Sequence, residues 1–435
     1  MEKKKNKDLS SNFGKWGWSI IIMCLIAYFI SGGVAADGLN IYVGAITAVH
    51  PTLDAATMLS FGTYGGWIGV VITYIFGQIT AKKLSLTKPI LIGSLLATAI
   101  LMYLYGHTDS TAVVCICIAG VSAISSGYAL IATNNIQTAW FPRRKALALG
   151  WSTMGFPLCT MVWPFVCNLL LGSVGVGGMF LVIAIFIAVF GIACIWWCKV
   201  TPQEVGVAPD NDPMSAEEIA AQQKMIAEYK SPWTLGKCLK EKRVWFISIG
   251  LGLVWMITAA MVMRTVPTLM MAGWEQGTAV LMLSVVGFFG LFGSYIWGWI
   301  DQKIGTKKAC LIYACWYAVA LVCMGLAPKV TFLTYVGIFM LGISVGGICN
   351  LIPSFVGTVF GWKDFPAVNR VVSTITKLLC ACAGLYMGQM EVLVGISGAF
   401  YILIIGCAIA FILVLLVKPL PQKDAPAAPV EEKAE

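Results

Sequence analysis

The sequence predicts an all-α membrane protein, with twelve transmembrane helices in two pseudo-symmetric six-helix bundles. Three observations lead to this fold class. Of the 435 residues, 59% are hydrophobic and 11% are charged, whereas soluble domains carry about 25% charged residues. Twelve apolar stretches are each long enough to cross a bilayer, which takes about 20 helical residues. One long polar stretch separates the first six of them from the last six.

The twelve predicted spans are continuous apolar runs rather than the alternating ten-residue segments of a membrane barrel. A mean hydropathy of +0.85 agrees with a chain that lies mostly in lipid. In order, the predicted spans are residues 17–40, 56–80, 89–106, 112–138, 146–171, 177–199, 244–272, 277–300, 308–327, 331–358, 369–390 and 394–417.

The polar stretch at 200–243 predicts a linker with one surface helix. Ser215 stands three residues before Glu218, which is the spacing of a capping box, and a helical pattern continues to Lys230. The prediction divides the chain into five parts: a cytoplasmic N-terminus (1–16), an N-terminal six-helix bundle (17–199), the cytoplasmic linker (200–243), a C-terminal six-helix bundle (244–418) and a disordered cytoplasmic tail (419–435).

The distribution of positive charge predicts the orientation. All of the 29 Lys and Arg residues except Arg264, Lys329 and Lys377 lie at the N-terminus, in the linker, in or beside alternate loops, or at the C-terminus. Because Lys and Arg are enriched in cytoplasmic loops, we expect both termini in the cytoplasm of a cell whose plasma membrane the chain crosses many times.

Several classes of function are not supported by the sequence. The net charge of +9 is dispersed rather than gathered into a patch that could follow nucleic acid. The fifteen cysteines form no Cys-x-x-Cys pair with a nearby histidine, so no metal site is expected. No nucleophile with a base and no phosphate-binding loop for ATP are found. We therefore expect neither an enzyme nor a cofactor.

The two halves resemble each other. Trp18 is followed 19 residues later by Asp37, and Trp245 is followed 19 residues later by Arg264. Duplication of a six-span unit is typical of carriers that rock two halves about a central site.

Two segments carry a resemblance to a known family: Trp140-Phe-Pro-Arg-Arg-Lys-Ala-Leu-Ala-Leu-Gly150 after span 4, and Gly298-Trp-Ile-Asp-Gln-Lys-Ile-Gly305 after span 8. Over essentially its whole length the chain resembles the major facilitator superfamily, and within it the oxalate/formate antiporter and monocarboxylate porter relatives. The resemblance implies alternating access, with Gly298, Gly305 and Asp301 in a gating loop. Asp301 stands one place early in this copy, and the first-half copy has no acidic residue.

Apart from the first and last two residues of each predicted span, three charged residues fall inside the spans: Asp37, Arg264 and Lys377. Each costs about 2.5–3.5 kcal/mol on insertion scales and such residues are usually functional. Two cations and one acid predict a cavity that favours an anion. Arg264 can hold a carboxylate, form a permanent salt bridge with Asp37, or combine both as a gate. We expect Lys377 to contact the substrate. The alternative is that its side chain extends to the membrane interface and has no contact with the substrate.

The resemblance also implies a lysine in span 11, which Lys377 supplies, and an arginine in span 8, which this chain lacks. Asp37, the one carboxylate predicted inside a span, is a candidate for proton coupling. Further candidates for the cavity wall are the polar and aromatic residues Asn134, Asn350, Tyr64 and Trp255.

The sequence thus predicts a monomeric secondary transporter of a small organic anion, a mono- or dicarboxylate. The cycle would be either anion exchange or proton symport. The alternative is a carrier of an uncharged or amphipathic drug-like solute in which the charges within the spans are structural.

Overall fold

A computed structural model describes residues 11–50 and 55–418 of the chain. The predicted disordered tail, 419–435, and most of the predicted N-terminal segment, 1–16, lie outside the described residues. Within the described part every regular element is a helix. The fold class is therefore the one that the sequence predicts.

The first half contains spans 1 to 6. Several spans consist of consecutive helical pieces, and the linker that follows contains four short helices. The bounds are Gly14–Gly32, Gly33–Asp37 and Leu39–Val49 for span 1; Ala55–Lys82 for span 2; Leu84–Leu86 and Thr87–His107 for span 3; Thr111–Ser126, Gly127–Ala132 and Thr133–Trp140 for span 4; Lys145–Ser152 and Gly155–Trp197 for spans 5 and 6; and Pro202–Val205, Pro209–Asn211, Ala216–Glu228 and Leu235–Lys240 for the linker.

The second half repeats this pattern with spans 7 to 12. Its bounds are Lys242–Met271 for span 7; Gln276–Ile304 for span 8; Thr306–Leu326 for span 9; Thr331–Val345 and Ile348–Phe360 for span 10; and Phe365–Ala381 and Ala383–Leu416 for spans 11 and 12. The two pieces of span 10 meet at an angle of 42°.

Spans 5 and 6 are joined without a loop. A straight helix of the 43 residues Gly155–Trp197 would be about 65 Å long, twice the thickness of a bilayer core. The chain instead reverses at Gly175, whose φ of 72° and ψ of −176° are available to glycine but not to residues with a Cβ. Gly395, with φ 73° and ψ 169°, reverses the chain between spans 11 and 12 in the same way.

The count of twelve crossings follows from these reversals. By length and composition, nine helical segments of the described part can cross a membrane when the bent pair of span 10 counts as one. Lys145–Trp197 and Phe365–Leu416 each contain a reversal and supply two crossings. The 28-residue helix Ala55–Lys82 supplies the twelfth.

The buried side chains form two hydrophobic cores, one from residues 13–198 and one from residues 233–417. The halves meet where span 5 packs against span 8 and where span 2 packs against span 11. We call the end that carries Arg143, Lys303 and the linker the basic end, and the other end the opposite end.

Two differences from the predicted helix ends affect the candidate residues. Span 1 continues to Val49 rather than residue 40, through a wider helical turn at Gly33–Asp37. Span 11 continues past residue 390 to the reversal at Gly395, so Glu391 lies on a helix and not in a loop.

Candidate functional site

Lys377 lies where span 11 faces span 2 of the other half. A Cβ placed on Gly69 of span 2 would lie 2.7 Å from the Lys377 Nζ atom and 3.2 Å from the Cα atom of Ala123 in span 4. The absence of a side chain at Gly69 therefore makes room for the ammonium group. Among the described residues, this ammonium has neither an ion-pair partner nor a hydrogen-bond acceptor.

The depth of Lys377 can be measured along two helices. It is twelve residues beyond Phe365, the first residue of its helix, which corresponds to about 18 Å. Gly69, which it contacts, is thirteen residues before Lys82, the last residue of span 2, or about 20 Å. Both distances place the ammonium near the middle of the membrane, where an uncompensated charge is costly.

Asp37 lies at the end of the wide turn in span 1. The Thr160 hydroxyl of span 5 donates a hydrogen bond to Asp37 Oδ2 at 3.0 Å. Thr160 in turn borders span 8, because a Cβ on Gly287 would lie 3.3 Å from its Cβ. No cation pairs with Asp37 among the described residues. The carboxyl group is thus linked through one hydroxyl to the seam between the halves.

Arg264 has a partner that none of the three arrangements considered from the sequence includes. Its Nη2 atom lies 2.9 Å from Oε2 of Glu391, with the two side chains 27% and 34% exposed. The Asp37–Arg264 salt bridge is therefore absent from the described structure, and the expectation of two cations against one acid is wrong. The cause is the added length of span 11, which brings Glu391 beside span 7. Arg264 Nε is buried without a hydrogen-bond partner.

Two helix crossings join the halves at the basic end. Gly298 of span 8 meets span 5, since its Cβ would lie 2.6 Å from the carbonyl oxygen of Ala146 and 2.9 Å from the Cα atom of Gly150. Gly77 of span 2 meets span 11, since its Cβ would lie 2.4 Å from the Arg370 Cβ. The two crossings occupy corresponding places in the two halves.

Side-chain contacts support both crossings. At the first, the Thr153 and Ser294 hydroxyls are 3.3 Å apart, and the rings of Trp151 and Tyr295 have centroids 4.8 Å apart. At the second, Arg370 Nη1 donates to Oε1 of Gln78 at 2.5 Å.

The comparisons with known proteins agree with this architecture. The family model described as Major Facilitator Superfamily matches residues 28–381 and again 273–435. The chain belongs to the major facilitator superfamily. It is therefore a membrane transporter and not an enzyme.

Two similar proteins illustrate the breadth of the major facilitator superfamily. YhjX of Escherichia coli (strain K12), an uncharacterized MFS-type transporter, is 22% identical over 367 residues, which are 81% of this chain and 83% of that protein. The crystal structure of the human organic anion transporter MFSD10 (TETRAN) has a TM-score of 0.67 at 12% identity and covers 92% of this chain and 99% of that chain. The second likeness shows the fold alone.

The gating loop that the superfamily resemblance implies is built around Asp301. The Thr306 hydroxyl, on the first residue of span 9, donates to Asp301 Oδ1 at 2.6 Å and lies 3.0 Å from the Thr358 hydroxyl of span 10. Gly305, with φ 95°, turns the chain between spans 8 and 9. Gln302, at the place expected for an acid, donates to the carbonyl oxygen of Arg143 in the other half at 3.2 Å.

The two predicted asparagines are buried and hydrogen-bonded within one half each. Asn134 accepts from the Tyr28 hydroxyl at 2.7 Å and donates to the carbonyl oxygen of Leu130. Asn350 donates to the carbonyl oxygen of Ser294 at 2.9 Å, while its own Oδ1 is buried without a partner. These bonds hold span 1 to span 4 and span 10 to span 8. A substrate contact at either residue stays a prediction.

The two predicted aromatic residues differ in exposure. Tyr64 in span 2 is 56% exposed and its ring contacts Phe61. Trp255 in span 7 is half-buried against the C-terminal core. It lies one helical turn beyond Gly252, whose Cβ would lie 3.2 Å from Thr376, the residue before Lys377. Trp255 is thus the better placed of the two for a contact near the lysine.

Sequence reasoning missed the hydrogen bond between Arg370 and Gln78. It also missed the hydrogen bonds by which the linker holds the ends of the spans. The Asp210 carboxylate accepts hydrogen bonds from the backbone N–H groups of Arg143 and Arg144, each at 2.9 Å. Burial raises the pKa of Asp210, and these bonds oppose the rise. Arg370 Nη2 donates to the carbonyl oxygen of Trp233 in the linker at 3.1 Å. A signal was present, since Arg143 and Arg370 are 227 residues apart, the same separation as that of Trp18 and Trp245.

Proposed function

We propose that the chain is a secondary active transporter that moves a small organic anion, a mono- or dicarboxylate, by alternating access. The observation that carries the proposal is the unpaired ammonium of Lys377 between the halves, near the middle of the membrane. An ammonium group held there is destabilised by the low polarity of its surroundings. A bound carboxylate would stabilise it through a charge-assisted hydrogen bond. An anion is the ligand that such a site favours.

The ion pair at Arg264 narrows the proposal. With Glu391 beside it, Arg264 no longer adds free positive charge, so anion affinity rests on Lys377. We assign Arg264 and Glu391 to a gate toward the opposite end, where an anion can compete with Glu391 for the guanidinium. A planar guanidinium suits such an exchange because it binds either carboxylate in the same geometry.

Asp37 is the proposed proton site of the cycle. It carries a carboxyl group without a cation, and its hydrogen-bond donor, Thr160, touches span 8 of the other half. Movement of span 8 against span 5 would change this hydrogen bond and with it the affinity for a proton. Uptake of one proton at Asp37 and one carboxylate at Lys377 adds no net charge to the membrane interior.

The basic end is the proposed cytoplasmic end, because Lys and Arg are enriched in cytoplasmic loops. The crossings at Gly77 and Gly298 then close the path toward the cytoplasm. Binding from the outside, closure at the opposite end and separation of these two crossings would complete one passage.

The experiment is uptake into proteoliposomes that contain the purified protein, with a panel of mono- and dicarboxylates. We expect at least one carboxylate to be taken up by the wild type and by Lys329→Ala, whose lysine is exposed at the opposite end. Lys377→Ala should abolish uptake and the thermal shift that the same anion causes. Uptake unchanged in Lys377→Ala would refute the assignment of the site.

The proton site is tested separately with Asp37→Asn. In the wild type an inward-directed proton gradient should accelerate uptake of the anion. In Asp37→Asn the gradient should have no effect, while counterflow of labelled anion against unlabelled anion continues. A gradient effect of equal size in both proteins would remove Asp37 from the coupling and leave simple exchange.

One observation favours the alternative, a carrier of an uncharged or amphipathic solute. Away from the basic end, the described spans hold two cations, Arg264 and Lys377, and two carboxylates, Asp37 and Glu391, so the formal charges in that part of the spans cancel. If the charges are structural, Lys377→Ala will reduce thermal stability but transport of a neutral solute will survive.

A further inference from the structure

A groove of about 400 Å³ lies on the outer surface of the N-terminal half, away from the seam between the halves. Spans 1, 5 and 6 form it, and the described residues that line it have no polar side chain. Two of its wall residues, Phe186 and Val189, are 42% and 60% exposed, so the groove opens toward lipid. Its lining is Leu25, Ile26, Phe29, Leu158, Phe186, Val189, Phe190 and Ala193.

The depth of the groove is set by two tryptophans at the basic end. On span 1 it extends from Leu25 to Phe29, which are seven and eleven residues beyond Trp18, or about 10 and 16 Å. On span 6 it extends from Ala193 back to Phe186, four and eleven residues before Trp197, or about 6 and 16 Å. Both helices place the groove in the acyl-chain region of the leaflet at the basic end.

Beyond the groove, toward the basic end, lies a rim of cations and exposed aromatic rings. Lys15 is exposed and stands on the helical stripe that passes through residues 22 and 29, and Lys199 follows the last residue of span 6 by two positions. Neither ammonium has an ion-pair partner among the described residues. Trp16 and Trp196 are 41% and 70% exposed, as is typical of rings at a membrane interface.

From this geometry we infer a binding site for one anionic glycerophospholipid in the leaflet at the basic end. One acyl chain fills the groove, and the phosphate lies between Lys15 and Lys199. The charge of the rim selects an anionic headgroup, since each lysine near the surface contributes about 1 kcal/mol toward anionic lipid. The groove selects an acyl chain because its lining offers nothing to a polar ligand.

Span 5 connects the groove to the moving seam of the carrier. Leu158 lines the groove, and the preceding residue, Pro157, contacts span 8, where a Cβ on Gly290 would lie 2.6 Å from its Cβ. An acyl chain against Leu158 therefore contacts span 5 one residue away from its contact with span 8. The bound lipid should change the rate at which the two spans separate.

Native mass spectrometry of the full-length protein in detergent tests the inference, with dioleoyl phosphatidylglycerol and dioleoyl phosphatidylcholine as probes. We expect the wild type to retain one phosphatidylglycerol at concentrations at which it retains no phosphatidylcholine. Lys15→Gln with Lys199→Gln should weaken phosphatidylglycerol about 30-fold, the equivalent of about 2 kcal/mol, and leave phosphatidylcholine unchanged. The matched control is Lys308→Gln, because Lys308 is an exposed lysine at the basic end of span 9.

Ala193→Phe fills the groove and should weaken both lipids. Lys15 is exposed, Lys199 is half-buried and neither has an ion-pair partner among the described residues, so the result for the lysine pair holds even if Ala193→Phe folds poorly. Equal retention of both lipids by the wild type, or phosphatidylglycerol retention unaffected by the lysine pair, would overturn the inference. A doubled protein mass that Ala193→Phe converts to the monomer would identify a second copy as the occupant, and would overturn it as well.

Discussion

Gly69→Ala is the substitution that examines the binding site most directly. The added Cβ would lie 2.7 Å from the Lys377 Nζ atom and 3.1 Å from its Cε atom. An ordinary contact begins at 3.4 Å, so the ammonium must retreat by at least 0.7 Å. Lysine is flexible enough to move, and we therefore expect the protein to fold. What changes is the position of the charge that the substrate needs.

A displacement of this size has a predictable effect on binding. A hydrogen bond to a charged group contributes about 1.5–3 kcal/mol, so a retreat of 0.7 Å that weakens the bond from Lys377 to the anion should cost about tenfold in anion affinity, or about 1.4 kcal/mol. Gly66, one turn away on the same helix, has no atom within 4 Å of a Cβ placed there. Gly66→Ala is thus the matched control and should bind the anion as the wild type does.

The assay is the thermal shift produced by the best carboxylate of the transport panel, titrated to give an apparent Kd for each protein. Melting without ligand shows whether either substitution harms the fold. If Gly69→Ala binds within twofold of Gly66→Ala, the ammonium does not occupy the place described. The assignment of Lys377 as the substrate cation would then lose its structural basis.

Three further predictions concern the two proposed gates and the chain reversal at Gly175. Gln78→Glu replaces a neutral acceptor of the Arg370 guanidinium by a charged one, so the contact that closes the basic end should strengthen. We expect the turnover rate to fall severalfold while the Kd for the anion is unchanged. A turnover rate equal to that of the wild type would contradict the proposed gate. Arg264→Ala and Glu391→Ala, alone and together, should give a coupling energy of about 1 kcal/mol in thermal unfolding, reduced by partial exposure; additivity would show that the pair is not formed. Gly175→Ala should cost about 1–2 kcal/mol of stability because of its positive φ, whereas Gly172→Ala, inside the same helix, should be neutral or slightly stabilising; equal melting temperatures would place the reversal elsewhere.

The fold could be predicted because its causes are written locally in the sequence. Hydrophobic length marks each crossing, and the linker marks the division between the halves. The depth of Lys377 was also within reach, because the rise of a helix converts a residue count into a distance. Its isolation was not, since that depends on which residues of span 2 and span 4 face it.

The partner of Arg264 could not be predicted from spacing. An end point at residue 390 instead of 395 put Glu391 in a loop, so an error of five residues removed this carboxylate from the helix that packs it beside Arg264. The pairing of Gln78 with Arg370 joins residues 292 positions apart. Only the docking of the two halves brings them together, and no local pattern reports it.

At Gly175 and Gly395 a single non-helical residue, rather than a loop, joins the two helices. A flexible loop would let span 5 tilt while span 6 stayed in place, but a single non-helical residue transmits the tilt almost completely. Spans 5 and 6, like spans 11 and 12, should therefore travel as stiff hairpins. Spans 5 and 11, which lie at the seam, would then move together with spans 6 and 12, which face lipid. Each transport cycle would therefore also displace the lipids that contact spans 6 and 12.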